Sequence, residues 1–309
     1  MARVLVTGGA GFIGSHLVQA LVQRGDKVRV FDNFSTGSAE NLSQVARQIE
    51  LVAGDLHNRT QVREAVSGVE LIFHQAAFVS VPESIENPAE CYKANVQGTI
   101  EVLEAARKAG VKRIVLASSC AVYGAIPTMP LRESMPPECL SPYAASKQFN
   151  EGLAQLYSNA YRLPVVALRY FNVYGPRQST DSDYAAVIPK FVLRLKANQS
   201  PIIYGDGSQS RDFIFVEDVV RANLLASEKE EAAGKIFNIC SGTETSLIDL
   251  LSVFHSIITA SPEAEFTNPR LGDIPRSVGD PDLAAQVLGF RAQVSLEEGL
   301  KRYIEAWQA

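Results

Sequence analysis

The chain has 309 residues, 46% hydrophobic and 20% charged, with a formal net charge of −5. That is enough for one large or two interlocked domains of ordinary globular composition. The acidic balance leaves no basic footprint for nucleic acid, so an anionic ligand must be held by locally placed arginines and not by a global field. Cysteines 91, 120, 139 and 240 show neither CxxC spacing nor a disulfide framework, and no run of about 18 apolar residues exists. MARVLVTGG enters a strand without a charged n-region or a long apolar h-region. The expectation is a soluble, cytoplasmic protein with reduced thiols, no metal and no membrane partner.

In chain order, β-branched runs at 3–7, 27–32, 49–55, 69–77, 113–119 and 164–171 read as strands. Amphipathic stretches at 13–24, 60–67, 93–109 and 146–161 lie between them; in the last, Phe149, Leu153, Leu156 and Tyr157 fall near helical spacing. This alternation predicts an α/β fold with a doubly wound parallel sheet, the Rossmann arrangement. After residue 171 the rhythm loosens. FNVYGPRQSTDSDY (171–184) is rich in loop formers and precedes the helical IPKFVLRLKA; strand–loop–strand follows over 202–216, a helix over 217–228 and a strand at 236–240. Leu300, Tyr303, Ile304 and Trp307 mark one face of a final helix. The division expected is a nucleotide domain over 1–171, to which 213–240 returns, and a smaller mixed substrate domain over 172–309.

VLVTGGAGFIGSHLVQAL places Gly8, Gly11 and Gly14 after a strand and at a helix start, and Asp32 ends the second strand 18 residues beyond Gly14. Glycine permits the tight turn and lets backbone N–H groups approach a pyrophosphate at the positive helix end. A carboxylate at Asp32 accepts from an adenosine ribose 2′-OH and repels a 2′-phosphate, which favours NAD over NADP. Asp55 reads either as an adenine contact or as an ordinary turn aspartate. Ala76 and Ala77 are small enough for a cofactor to pass close to the backbone.

SPYAASKQ (141–148) sets Tyr143 and Lys147 a helical turn apart on one face. Alone, that is as well read as a solvated pair at a helix start. Beside an NAD site it reads as chemistry. An adjacent ammonium and a cationic nicotinamide both favour phenolate, so Tyr143 can take a hydroxyl proton as hydride leaves. Lys147 can hold the nicotinamide ribose, and Ser119 can reach the same substrate oxygen. Cys120 reads as a small packing residue, because no histidine near it in sequence activates a thiol.

TGGAGFIG, SSCAVYG (118–124), SPYAASK and SRDFIFVED (210–218) together resemble the extended short-chain dehydrogenase/reductases of the nucleotide-sugar epimerase/dehydratase family, over essentially the whole chain. The resemblance implies Ser119, Tyr143 and Lys147 as a catalytic triad. It puts Gly8, Gly11, Phe12, Ile13, Gly14, Asp32, Asp55, Leu56, Ala76, Ala77, Asn95, Tyr143 and Lys147 on the cofactor. Related 4,6-dehydratases carry an Asp–Glu pair where this chain has Cys120 and Ala121, so dehydration is disfavoured. C4 epimerisation needs one acid/base and a hydride shuttle: oxidation to a 4-ketose, turnover of the ketose in the pocket, and return of hydride to the other face, with NAD retained.

The substrate-side segments LRYFNVYGPRQ (168–178), YAAVIPKF (184–191), GDGSQSRDF (205–213) and RLGDIPRS (270–277) resemble those of UDP-sugar 4-epimerases, especially ones acting on N-acetylated sugars. By that resemblance Ser80, Ser119, Tyr143, Asn172, Ala186, Val187, Arg211, Arg270, Asp273 and Ser277 touch substrate. Arg211 and Arg270 clamp the pyrophosphate, Asp273 takes a uridine ribose hydroxyl and Val187 lines the nucleotide site. Ser277 stands where epimerases restricted to glucose and galactose place a tyrosine, and with Ala186 it leaves room for an N-acetyl group. Val81 and Ser84, with Ser80, approach the sugar or the nicotinamide. Three other readings stay open: a UDP-glucuronate 4-epimerase or decarboxylase, with Arg177 as the arginine for a C6 carboxylate; a non-catalytic NAD-sensing protein; and net redox chemistry with exchangeable NAD(P)H. The family often dimerises through two helices per subunit, here about 93–109 and 143–161.

Overall fold

Val4, Leu5 and Val6 are all buried, as are Ile72 and Phe73 and Val165 through Leu168. Strands apolar on both faces belong inside a parallel sheet covered on both sides, and the computed structural model has that sheet. It describes residues 1–179, 186–258, 262–269 and 272–306. The strands are β1 (Arg3–Thr7), β2 (Lys27–Asp32), β3 (Ile49–Ala53), β4 (Leu71–His74), β5 (Arg113–Ser119) and β6 (Val165–Tyr170), with Ile236–Ile239 as a seventh. They lie in the order Ile236–Ile239, β6, β5, β4, β1, β2, β3, every pair parallel. The order reverses between β1 and β4, which opens a crevice at their carboxyl ends. The chain thus re-enters the large sheet at 236–239, after the substrate-side segments have begun.

The helices in the first half are α1 (Phe12–Gln23), α2 (Arg59–Val66), α3 (Val81–Glu86), α4 (Pro88–Tyr92), α5 (Gly98–Ala109) and α6 (Pro142–Tyr161). One core layer packs α1 against the sheet through Leu17, Val18 and Leu21. The other packs α2, α5 and α6 through Val62, Val102, Leu103 and Ala154. Each fully buried Val or Leu contributes roughly 1.5–3 kcal/mol against exposure.

One expectation needs correction. The helix expected over 93–109 is broken: Lys93–Gln97 is a π turn ahead of α5. There Thr99 Oγ1 donates to the Asn95 carbonyl at 2.5 Å, while the Asn95 side chain reaches across to the Phe78 backbone. Side chains competing for the local backbone widen a helix in this way. On α6, Phe149 and Leu156 point outwards, 52% and 50% exposed. The buried face is Ala144, Lys147, Asn150, Glu151, Ala154 and Tyr157. Polar and charged residues therefore line the inside of this helix.

Beyond β6 the chain builds three small sheets: Asn172–Tyr174 with Phe213–Phe215, Ile202–Tyr204 with Glu265–Thr267, and Ser210–Arg211 between Thr245–Ser246 and Arg276–Ser277. Helices Val187–Lys196, Leu247–Ile257 and Leu296–Ala306 cover them through Phe191, Phe254 and Tyr303. Trp307 lies outside the described residues.

Candidate active site

The β1–α1 turn is tight. Gly8 has φ +67°, and a Cβ there would stand 2.5 Å from the Ala76 amide nitrogen. A Cβ on Gly14 would stand 2.0 Å from the Gly8 carbonyl oxygen. At Gly11 a Cβ would meet only that oxygen, at 3.3 Å. The first and third glycines are thus required by protein packing, whereas the second keeps the mouth of the turn clear. Gly11 caps α1 without a side-chain hydrogen bond, and the first turn, with Phe12 and Ile13, carries no acidic residue. Backbone donors at a helix start whose first turn holds no acidic side chain suit a pyrophosphate. The Asp32 carboxylate accepts from the Ala10 and Phe34 amides, both at 2.8 Å, which orients it and leaves acceptor capacity for a ribose. These residues fit a dinucleotide.

Asp55 has the contacts of its turn reading. Its carboxylate accepts from His57 N at 2.9 Å and Asn33 Nδ2 at 3.1 Å, which makes it a turn aspartate at the rim beside β2. Leu56 is buried against Gly98. Ala76 and Ala77 are partly buried just past the end of β4. Asn95 sits behind the rim: its side chain is 1% exposed and engaged with Phe78 and with Ser146 Oγ at 2.9 Å. It braces the segment after β4.

Ser119 ends β5, and its hydroxyl lies close enough to the Tyr143 phenol to favour the ionised form. Ser141 caps α6, accepting from Ala144 N at 3.1 Å, with Pro142 at the first helical position. This start sets Tyr143 beside Ser119. Ser84 accepts from the Tyr143 amide at 3.2 Å, so α3 supports the helix start from the other side, and Ser80 caps α3. Val81 opens α3 and is 37% exposed. Lys147 donates to the Ala117 carbonyl at 2.9 Å and lies 5.7 Å from the Tyr143 ring centroid.

Burial pushes the Tyr143 phenol up to about 12, against the pull of the Ser119 hydroxyl, and pushes Lys147 down to about 8. In the chain alone the balance at Tyr143 is the reverse of the lowering expected from the adjacent ammonium. The physical reason is desolvation of the charged form, which outweighs its neighbours here.

Behind the pair, His74 is fully buried and burial pushes it down to about 3. Thr99 already donates to Asn95, so His74 Nε2 must donate to Thr99 Oγ1 at 3.0 Å, while Nδ1 takes the Thr7 hydroxyl at 2.7 Å. It is a neutral Nε2–H tautomer tying β1, β4 and α5 together.

Asp212 gathers the substrate-side residues. Its carbonyl accepts from Asn172 N at 3.0 Å and Nδ2 at 3.2 Å, and its amide donates to the Ser277 carbonyl at 2.9 Å. Its carboxylate, fully buried, accepts from Ser241 N and Oγ, Gly242 N and Gly279 N. Burial pushes it up to about 6 against those bonds. Ser277 is 8% exposed and neighbours Cys120, whose thiol burial pushes up to about 11. Cys120 is therefore a packed, protonated neighbour of Ser119, as its sequence reading expects.

Arg211 donates to the Asp273 carboxylate at 2.6 Å and to the carbonyls of Ser210 and Ile274. Ala186, exposed, and Val187, half-buried, open the helix Val187–Lys196. Arg270 and residues 180–185, with Tyr184 and Ala185 of YAAVIPKF, lie outside the described residues.

A dinucleotide cradle and a Ser–Tyr–Lys cluster thus stand at the carboxyl ends of one parallel sheet. The model of the "NAD dependent epimerase/dehydratase family" matches residues 4–240. The chain belongs to this family. Among relatives of this epimerase/dehydratase chain, a UDP-glucose 4-epimerase of Mycolicibacterium smegmatis is 41% identical, with 98% of this chain and 97% of that one covered. A UDP-N-acetyl-alpha-D-glucosaminuronate decarboxylase of Bacillus cytotoxicus is 34% identical over 98% of this chain and 97% of its own. The solved UDP-N-acetylglucosamine 4-epimerase of Methanobrevibacter ruminantium, in complex with UDP-N-acetylmuramic acid, superposes with a TM-score of 0.95 at 36% identity, covering 99% of this chain and 98% of that one.

Several residues of this epimerase/dehydratase site escape sequence reading. His74 is hidden because a strand-end histidine has no motif. Asp212 is hidden because its partners lie 29 to 67 residues away. Glu151 and Arg169 had a usable signal. Glu151 follows Tyr143 and Lys147 at the same i+4 interval, and Arg169 is a charge inside the buried run VVALRY, which demands a buried partner.

Proposed function

We propose that this chain is a UDP-sugar 4-epimerase with retained NAD, interconverting UDP-GlcNAc and UDP-GalNAc and also accepting UDP-Glc and UDP-Gal. The observation that carries it is the surroundings of the triad. Ser119 and Tyr143 meet beside Lys147, while the two positions after Ser119 hold Cys120, a neighbour of Ser277, and Ala121. No second acid or base stands there for elimination. When bound, NAD supplies the hydride sink and source. Tyr143 takes the C4 hydroxyl proton and later returns it, Ser119 holds the same oxygen, and Lys147 keeps a positive charge beneath the phenol. Gly8, Gly11, Gly14, the Phe12 and Ile13 amides and Asp32 hold the dinucleotide, with Asp55, Leu56, Ala76 and Ala77 along its path.

Arg211, Asp273, Asn172, Val187 and Arg270 hold the uridine diphosphate, while Ser80 and Ala186 border the sugar. Ser277, small and packed on Cys120, leaves room for a C2 N-acetyl group. The glucuronate reading needs an arginine aimed at a C6 carboxylate. Arg177 instead donates to Gln19 of α1 at 2.9 Å, which weighs against it.

The proposal places the protein in the cytoplasm, where its four free cysteines stay reduced; no described helix is long and apolar enough to cross a membrane. It includes a homodimer. A groove of about 450 Å³ on the outer face of α6, lined by Ala145, Gln148, Phe149, Gly152, Leu153 and Leu156, suits a helix pair from a second copy. Sedimentation at monomer mass would sink that part. It also keeps the division into a nucleotide domain, 1–171 with 213–240, and a substrate domain over 172–309.

The test is proton NMR of the purified protein with UDP-GlcNAc, UDP-Glc and UDP-GlcA in separate tubes, without and with added NAD. Galacto-configured signals from UDP-GlcNAc support the reading. Conversion of UDP-Glc alone keeps the mechanism and removes the substrate assignment. Product from UDP-GlcA alone transfers it to the glucuronate enzymes, and no product in any tube leaves a binding protein.

A further inference from the structure

Beneath the triad lies an ion pair that the chemistry above does not use. Arg169 Nε and Nη2 each donate to the Glu151 carboxylate at 2.8 Å, a bidentate pair with side chains 3% and 4% exposed. Ser118 donates to the same carboxylate at 2.6 Å. The guanidinium lies 4.7 Å from the Tyr123 ring centroid, and the Tyr123 hydroxyl donates to Asn238 at 2.6 Å. One buried chain of polar contacts thus joins β5, α6, β6, the turn after Ser119 and the strand Ile236–Ile239. Two of its members adjoin the site: Ser118 precedes Ser119, and Glu151 is one helical turn beyond Lys147.

We propose that Glu151, oriented by Arg169 and Ser118, is a positioning residue that keeps Lys147 in its ammonium form and holds α6 in register against β5. This inference rests on the reading of Lys147 as part of the active site. Groups face Lys147 from four elements: Tyr143 and Glu151 on α6, the Ala117 carbonyl on β5, His74 on β4 and Cys91 on α4. His74 is neutral, the Tyr143 phenol is protonated, and burial pushes the Cys91 thiol up, so it stays protonated too. Of these groups Glu151 alone is an anion.

Its partner charge is held over the Tyr123 ring. Glu151 stands one helical turn from Lys147, and Arg169 offsets the cost of burying its carboxylate. Burial already brings Lys147 down to about 8, so the ammonium has little margin at neutral pH without that support.

The test is a titration of ¹³Cε-lysine-labelled protein by NMR, with Lys147→Met to assign the signal, in wild type, Glu151→Gln and the double variant Glu151→Gln/Arg169→Gln. In Glu151→Gln the Lys147 midpoint is expected to fall by about one pH unit, and the alkaline loss of turnover to move down with it. The double variant, which leaves no unpaired guanidinium behind, is expected to lie between wild type and Glu151→Gln. If Glu151→Gln does not fold, a double-variant midpoint below wild type supports the proposal. A midpoint equal to wild type in whichever variant folds, even with a lowered Tm, overturns it and leaves the pair a structural tie. A wild type that converts no UDP-sugar would remove the epimerase reading, yet the NMR midpoints would still decide the role of Glu151.

Discussion

Arg211 and Asp273, which family resemblance assigns to the pyrophosphate and to the uridine ribose, hold each other: Arg211 Nη2 donates to Asp273 Oδ1 at 2.6 Å. Two backbone carbonyls fix the other guanidinium nitrogen, at 2.8 and 2.7 Å. The two residues proposed to hold substrate are thus mutually preorganised on adjoining segments. Arg211→Lys is expected to raise the KM for UDP-sugar about tenfold or more, because an ammonium cannot reproduce the planar fork. Tm should move little, since a partly exposed pair contributes about 1 kcal/mol or less. Initial rates over substrate concentration, with a melting curve, check both halves.

Tyr143→Phe is expected to lower kcat by about 10²–10⁴. Bound NAD, read from the nucleotide released on denaturation, should change little, since Tyr143 is one of many residues proposed on the cofactor and the pyrophosphate turn and Asp32 are untouched. Turnover within a few-fold of wild type would assign the proton transfer to another group.

Ser277→Tyr is expected to abolish turnover of UDP-GlcNAc and retain that of UDP-Glc. Ser277 is packed on Cys120, next to Ser119, so a phenol there projects towards the reacting carbon's neighbours. Equal loss on both sugars would show a packing defect in place of a gate.

Gly14→Ala is expected to yield protein that is unfolded or free of nucleotide, because its Cβ would sit 2.0 Å from the Gly8 carbonyl oxygen. Gly11→Ala, with only one contact at 3.3 Å, should fold and lose NAD alone. Circular dichroism and nucleotide content separate the two.

Stability is expected to fall as pH drops from about 6.5 to about 4. Burial pushes His16 down to about 4 and His74 to about 3, so in this window the unfolded chain binds more protons. The loss is ~1.4 kcal/mol per pH unit for each histidine. Asp212, raised to about 6, works the other way between that value and its ordinary one. Comparing urea midpoints of wild type and His16→Gln over this range isolates the share of His16. An unchanged slope would show that His16 is not held neutral.

The sequence by itself determined the seven-strand scaffold and the dinucleotide turn, because both are written in contiguous runs: strands buried on both faces, a helix start and glycine spacing are local properties. The pairing of Tyr143 with Lys147 was legible for the same reason, through one helical turn. Tertiary structure alone decided the rest. Phe149, Leu153, Leu156 and Tyr157 fall near helical spacing, yet Phe149 and Leu156 face outwards and the interior side of α6 carries Lys147, Asn150 and Glu151, because β5 and β6 satisfy the two charges there and Asn95 and Thr99 satisfy Asn150. The break at Lys93–Gln97 depends on Asn95 reaching Phe78 and Ser146, and the substrate platform on Asp212 drawing in segments up to 67 residues away. Whether a buried charge is tolerable depends on what faces it across the fold, and periodicity along the chain carries no record of that.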